Sequence, residues 1–511
     1  MDQNTGAERA LTDLVATVGR ERQRLVDAWE ATALIESLGY TDSRIRREFG
    51  FADAGALGAH VFATLAARRG VRDEAPCPVD TPPFVALVDS IGISLVYALP
   101  WLITFVVERA RPEAMRMPGD AAPSLSLALM ISLITSGGFV QAISRRGQFY
   151  LGLKQPGLAA LVCGYLLRLG AAVSVAVALT GIMIGWYFSL FSWPYLVLWA
   201  DECLVLSALW MMCGILALRN EHWRVPVAFA LGGAAFVAVR ATGYDAVLAQ
   251  LVGSAVALAA AAVQASHIFV HTGLEDRPSV VPMPRMTVLL YRVLPFFWYG
   301  MLYFSFLFAD RFAASASVLA LTGGPFGMRP HYKLGMDLAL LTFLFAAAGI
   351  EYANIRFSAR LRRAMRQPYE AASHAFTDSV RRLHVHAITT VIAAFVPVAV
   401  TAAVVARRLL PGEPESVWTT LAIGDIGYLL LAIGLSNALV LFSLNRPWSA
   451  VNALTGGLAI NIFIGFALSH AVSPYFAAAG LVAGGLLVAV HATVAVQRTI
   501  GTGAHAVAIP A

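Results

Sequence analysis

The sequence predicts an all-α, polytopic membrane protein of about twelve transmembrane helices in two six-helix halves, preceded by a small N-terminal cytoplasmic helical domain. Three observations predict it. AVILMFWYC residues make up 58% of the 511 positions. Charged residues make up only 13%, about half the share of an ordinary globular protein. From residue 84 onward, apolar stretches of the ~20 residues needed to cross hydrocarbon follow one another. This composition excludes a disordered chain and a large soluble enzyme with a conventional surface. The four cysteines, Cys77, Cys163, Cys203 and Cys213, are too few and too scattered for a disulfide framework or a CxxC metal site. Net charge is +6, and all but two of the 37 basic residues are arginine. In a membrane chain that surplus sets orientation rather than binding nucleic acid.

Residues 1–83 read as a cytoplasmic helical domain and linker with ten arginines. No apolar core of a secretory signal follows the start. Leu11, Leu14, Val15 and Val18, then Leu25, Trp29 and Leu34, recur near helical period. Gly39 stops that run, and Thr41 and Asp53 are placed as N-caps of two further helices. Pro76, Pro78, Pro82 and Pro83 form a breaker-rich linker.

The predicted spans are 84–107, 123–143, 157–187, 194–218, 225–239 and 246–264, a first bundle within 84–264. A cytoplasmic connector over 265–286 follows. The second bundle, 287–511, holds spans 287–309, 337–352, 388–406, 421–442, 450–469 and 475–496, with an amphipathic cytoplasmic insertion over 353–386. The third span is over-long, so its first turns reach the interface. Lys and Arg in alternate loops, with the N-terminal arginines, number 26 on one side and 9 on the other. The excess marks the cytoplasmic side, so both termini are expected in the cytoplasm of a multi-pass protein of the inner membrane.

Twelve spans invite a search for a six-plus-six repeat. Leu127-Ala128-Leu129 in span 2 aligns with Leu338-Ala339-Leu340 in span 8. At the same offset Leu133 meets Leu344, Gly138 meets Gly349, Ala142 meets Ala353 and Arg145 meets Arg356. The first span of each half also carries a proline before an aromatic, Pro100-Trp101 and Pro295-Phe296. A mid-span proline frees a carbonyl and bends the helix, as alternating-access carriers require.

Ionisable residues at membrane depth are functional candidates. Asp89, Arg292 and Asp425 fall mid-span and are read as buried; Arg168, Asp201 and Glu202 are of less certain depth. Asp310, Asp337 and Glu351 fall at span ends, where snorkelling is cheap. The functional reading is a hydrated central cavity for a polar substrate or coupling ion, and the bland one is helix-holding acid–arginine pairs. Asp310 has Arg292 or Arg311 as candidate partner, and Glu351 has Arg356 or Arg145. Span 7 is crowded with aromatics, among which Trp298 or Tyr299 is expected to face the cavity; the others read as lipid-facing packing. His267, His271 and Glu275 are spaced i, i+4, i+8, but Gly273 ends the helix before a metal site is complete, so no metal and no cofactor is expected. No GxxxxGK[ST], HExxH or GxSxG motif occurs, so neither a nucleotide-driven pump nor an embedded enzyme is the favoured reading. The basic loop after span 8, with Arg356, Arg360, Arg362, Arg363, Arg366, Arg381 and Arg382, interleaves apolar residues and is broken by Pro368. It reads as paired amphipathic helices on anionic lipid, or as a docking surface for an acidic partner.

These features resemble the inner-membrane Pel exopolysaccharide transporter family (PelG-like). That family is a branch of the twelve-helix MOP/MATE-like flippase superfamily, which includes drug/ion antiporters and lipid-linked oligosaccharide flippases. Ala309-Asp310-Arg311-Phe312 is similar to the family's Ala-Asp-basic-Phe. An external loop with Gly324-Pro325 and Tyr332, then Ile350-Glu351 leading into a long amphipathic helix, follow in the family's order. Leu444-Asn445-Arg446 resembles its span 10–11 turn, although Asn445 stands where an acid is expected. Asn461 resembles its mid-span asparagine and Pro100-Trp101 its first-span pair. The resemblance implies export or flipping of an exopolysaccharide or lipid-linked saccharide by alternating access, in membrane lipid, beside a cytoplasmic glycosyltransferase and other membrane subunits. The competing readings are an ion-coupled exporter of small amphipathic molecules, a membrane scaffold for a polysaccharide synthase complex, and an embedded glycosyl- or acyltransferase.

Overall fold

The computed structural model describes residues 2–21, 28–69, 84–92, 94–95, 117–153, 155–219, 223–273, 286–322, 327–365 and 373–501. The chain divides into two compact units, Met1–Asp80 and Thr81–Ala511. Among the described residues every regular element is helical.

The first unit holds α1 (Asp2–Glu21), α2 (Ala28–Ser37), α3 (Asp42–Glu48) and α4 (Ala54–Arg69). Leu14, Val15 and Val18 of α1 pack with Ile35, Ile45, Leu57 and Val61 in its own apolar core. Gly39, at a φ of 84°, closes α2 in the left-handed conformation that glycine adopts without penalty. Asp53 caps α4 by accepting the Ala56 N–H at 2.7 Å, while the Thr41 hydroxyl meets Ser43 instead of the helix. Trp29, expected inside, is 77% exposed. Leu25 and the proline-rich linker lie outside the described residues.

In the second unit, residues 84–92 are helical, and the rest of the first predicted span, with Pro100 and Trp101, lies outside the described residues. There follow α5 (Ala121–Gly152), α6 (Pro156–Tyr187), α7 (Trp193–Leu216), α8 (Arg224–Ala241) and α9 (Ala246–Gly273). The other half has α10 (Met286–Thr322), α11 (Pro330–Met365), α12 (Ser373–Leu409), α13 (Glu415–Ser443), α14 (Pro447–Ala471) and α15 (Ala478–Gly501). Among the described residues eleven helices are long and apolar enough to cross a membrane. Leu161, Leu179, Val237, Val263 and Phe463 lie exposed on their flanks, a surface that needs lipid.

The two halves repeat one packing pattern. In the first, α5 packs on α6 and α7, α6 on α7, α7 on α9, and α8 on α9. Six helices later, α11 packs on α12 and α13, α12 on α13, α13 on α15, and α14 on α15. The halves meet where α5 crosses α10. A Cβ on Gly300 would collide with the Gly137 carbonyl, and one on Gly138 would fall 2.7 Å from the Phe297 carbonyl. Only small residues permit this approach of two backbones.

Several predicted boundaries move. Helix α10 runs thirteen residues past Ala309, and α11 thirteen past Tyr352. The expected amphipathic insertion over 353–386 is therefore the continuation of α11 joined, across residues outside the description, to the start of α12. Its apolar face is not laid on lipid: Phe357, Leu361 and Val380 are buried in the core of the second half. Tyr332, expected in an external loop, is a fully buried residue of α11. Gly324, Pro325, Arg362, Arg363, Arg366 and Pro368 fall outside the residues whose side chains are described.

Candidate functional site

A cavity of about 440 Å³ opens between the halves. Ser136, Gly137, Val140 and Ser144 of α5 form one wall, with Trp210 of α7 and Phe229 of α8 beside it. Tyr303, Phe304, Leu307 and Phe308 of α10 and Phe343 of α11 form the other. Ser136 Oγ donates to the Ser132 carbonyl at 2.6 Å, and Trp210 Nε1 donates to Ser132 Oγ at 3.3 Å. Among the described residues the lining carries no Asp, Glu, Lys or Arg. The expectation of a polar, hydrated cavity is thus corrected to an aromatic one.

The aromatics of α10 do line it, but not those expected. Trp298 faces outward and Tyr299 is buried against Phe442, ring centroids 4.8 Å apart. Helical phase explains the miss. Pro295 is buried, Gly300 takes the face against α5, and the cavity-facing positions come at 303, 304, 307 and 308.

The charged candidates lie elsewhere. Asp89, Arg168, Asp201 and Arg292 are all exposed, which corrects the reading of Asp89 and Arg292 as buried. Arg292 is six residues from the start of α10, about 9 Å, within reach of the headgroups by snorkelling. Arg168 is nineteen residues before Tyr187, about 28 Å. The exposed Trp186, Tyr187 and Phe188 mark one interface, so Arg168 falls at the other. Beside Asp201, Glu202 is 1% exposed and pins α7 to α9 by accepting bonds from Gln250 Nε2 and Ser254 Oγ, each at 2.9 Å.

Asp310 is fully buried in mid-helix rather than at a span end. Tyr332 donates to its Oδ2 at 2.7 Å, and Arg311 Nη1 lies 3.5 Å from Oδ1. Arg292, eighteen residues away on the same helix, is not its partner. Arg311 also donates to Tyr428 Oη at 3.2 Å and to the Met336 carbonyl at 3.3 Å. Its Nη2 is 3.5 Å from Asp337, which meets Lys333 at 3.5 Å. This network ties α10 to α11 and α13. Asp425, one turn before Tyr428, is half-buried with Oδ1 unpartnered. Glu351 is also half-buried, in mid-α11, and makes no ion pair with another described residue; Arg145 instead stacks over Phe296 at 5.0 Å.

Sequence reasoning missed a second buried chain. Gln497 Nε2 donates to His384 Nδ1 at 2.8 Å, His384 Nε2 meets Asn437 Oδ1, and Asn437 Nδ2 donates to Thr493 Oγ1 at 2.9 Å. Its only signal was polar residues near the ends of three apolar helices. Asn461 donates to the Phe306 carbonyl at 3.0 Å, locking α14 to α10. Asn445 stands at a φ of 55°, with Arg446 N–H bonded to the Leu441 carbonyl at 2.8 Å. It closes α13 as a left-handed cap, a place asparagine tolerates, so the acid expected there is replaced for a backbone reason. His271 and Glu275 have no described side chains.

Two matching helical halves that meet at a shared cavity define the class: a polytopic membrane protein with the two-lobed fold of MATE and other MOP-superfamily transporters. A variant of the Vibrio cholerae MATE transporter VcmN matches with a TM-score of 0.60 at 13% identity, over 82% of this chain and 98% of that one. A MOP-superfamily transporter from Pyrococcus furiosus, described as having a binding pocket of reverse polarity, matches at 0.56 and 13%, over 84% and 99%. An outward-facing multidrug resistance MATE transporter matches at 0.55 and 12%, over 84% and 99%. No family model and no curated protein matches the chain.

Proposed function

We propose that this chain is a non-enzymatic, alternating-access transporter of the cytoplasmic membrane, with the cavity between the halves as its path. Its substrate is an amphipathic saccharide, lipid-linked or growing, exported or flipped with a cytoplasmic glycosyltransferase and other membrane subunits nearby. The carrying observation is a cavity walled by both halves and lined by aromatic faces without a charge. Rocking of the halves about the α5–α10 crossing would open such a cavity to each side in turn. Aromatic faces accept the C–H faces of sugar rings and apolar chains, whereas a charged group would lose its hydration there without compensation. The Pel-like motifs support the saccharide. The volume, about 440 Å³, is that of a drug-sized ligand site, so a few sugar rings are held at a time.

The same apolar lining, and the multidrug transporter among the fold's solved examples, favour a second reading, export of small amphipathic molecules. Trp210→Ala and Tyr303→Ala, tested in cells for secreted saccharide, ethidium efflux and membrane abundance, separate the two. Secreted saccharide should fall at least tenfold at normal abundance with efflux unchanged. Loss of efflux alone selects the second reading. No change in either at normal abundance removes the cavity from the path.

A further inference from the structure

Helices α11 and α12 leave a crevice between their neighbouring ends, lined by Tyr352, Arg356 and Arg360 of α11 and by Leu383, His386 and Thr390 of α12. We propose that it is a specific site for the phosphate of an anionic membrane phospholipid. Arg356 and Arg360 are one turn apart, so their side chains share a face. Both are half-buried, and neither makes an ion pair with another described residue. Arg356 lies over the Tyr352 ring at 5.7 Å, which holds its guanidinium toward the crevice. His386 approaches from α12. Thr390 is not a donor here, because its hydroxyl is bonded to the His386 carbonyl at 2.7 Å.

Depth fits a headgroup. Arg382 and Arg407 bracket the apolar run of α12, twenty-five residues apart, about 37 Å along the helix against ~30 Å of hydrocarbon. His386 sits one turn, about 6 Å, inside Arg382, at the edge of the hydrocarbon, where the long side chains of Arg356 and Arg360 can snorkel outward to a phosphate. On the face of α12 that carries His386, the exposed Ala393 and Pro397, seven and eleven residues further on, continue from the crevice and leave an acyl chain room against the helix. The crevice itself is shallow, about 20 Å³, so it seats phosphate oxygens at its mouth rather than a whole headgroup. The nearest acids on the two helices do not compete. Glu351 is five residues from Arg356, about 140° round the helix, and Asp378 is eight residues from His386, about 12 Å away. Two guanidiniums without an ion pair to any described residue are poorly matched to bare lipid tails and well matched to a charged headgroup.

The full chain, purified in detergent, is titrated with phosphatidylglycerol, phosphatidylcholine, inorganic phosphate and a polyprenyl diphosphate, with bound lipid counted by native mass spectrometry. One phosphatidylglycerol should bind saturably, with phosphatidylcholine at least tenfold weaker. R356Q/R360Q should weaken phosphatidylglycerol at least tenfold, while R381Q/R382Q changes it less than threefold. Equal loss in both double variants would mean diffuse attraction and overturn the site. Inorganic phosphate competing at the same concentration would make it a free-anion site, and tighter polyprenyl diphosphate would make it a substrate site; either result overturns the phospholipid. Should R356Q/R360Q not accumulate, R360Q and H386A alone read the same contacts, each expected to weaken binding at least threefold, and no loss in either defeats the proposal.

Discussion

Asp310 and Arg311 stand side by side in the interior of a 37-residue helix, and both are buried. Two adjacent charges on one helix point to different faces, so neither satisfies the other alone. Tyr332, Tyr428, Asp337 and the Met336 carbonyl complete the set. Removing one member strands the rest. Arg311→Met should cost about 3–5 kcal/mol by leaving Asp310 a buried, unpaired charge. Asp310→Asn/Arg311→Met together should recover most of it, read as thermal unfolding of the purified protein in detergent. An Arg311→Met protein as stable as the parent would show that the network carries no weight. The sequence marked Asp310 but took it for a membrane boundary, since a charge beside an apolar run reads as an end. Its partner Tyr332 sits 22 residues away and Arg311's partner Tyr428 117 away, and no spacing reveals them. Asp89 and Arg292 failed in the opposite sense. Where nearly every neighbour is apolar, periodicity shows depth but not face, and both turned out exposed.

At the scale of elements, hydropathy places helices well because hydrocarbon leaves the backbone no other spanning solution. Starts and stops followed where proline or glycine supplied local punctuation: Pro156 opens α6 and Pro447 opens α14. They failed for α10 and α11, which carry Asp310, Arg311 and Glu351 through the apolar core. The crossing of α5 and α10 was legible only as Gly138 in the pseudo-repeat; Gly137 and Gly300, whose backbones meet there, gave no signal without the fold. That crossing is testable. Gly300→Ala sets a Cβ against the Gly137 carbonyl, and two backbones cannot yield as a flexible side chain can. The expected cost is about 1–3 kcal/mol, the range for overpacking. Gly164→Ala and Gly233→Ala, whose added Cβ would meet nothing within 4 Å, should be neutral or stabilise by up to about 1 kcal/mol through helix propensity. Thermal unfolding of the three variants in one detergent decides it. A destabilisation shared by all three would point to glycine mobility rather than to the crossing.

At the scale of the whole molecule, the repeat and the charge asymmetry make one joint demand. Helices α5 to α9 and α11 to α15 pack alike, and α10 supplies the sixth crossing between corresponding positions. With six crossings from α5 through α10, corresponding helices of the two halves enter from the same side. The loops after α5 and α13 then face one compartment, and those after α6, α8 and α12 the other. With Arg311 moved from an external loop into α10, the basic residues expected on the two sides stand at 26 against 8, and this excess predicts that the first compartment is the cytoplasm, because translocating Lys and Arg in short loops is disfavoured. Accessibility tags at Gln155 and Asn445 should therefore report cytoplasm, and tags at Ser189, Gly243 and Gly412 the exterior. Each of these positions lies in a short connection between helices, so a tag need not break a span. Cytoplasmic labelling at Gly412 with exterior labelling at Asn445 would invert the protein. Labelling of Gly412 and Asn445 from the same side would remove α13 as a span, and with it the bond from Arg311 to Tyr428.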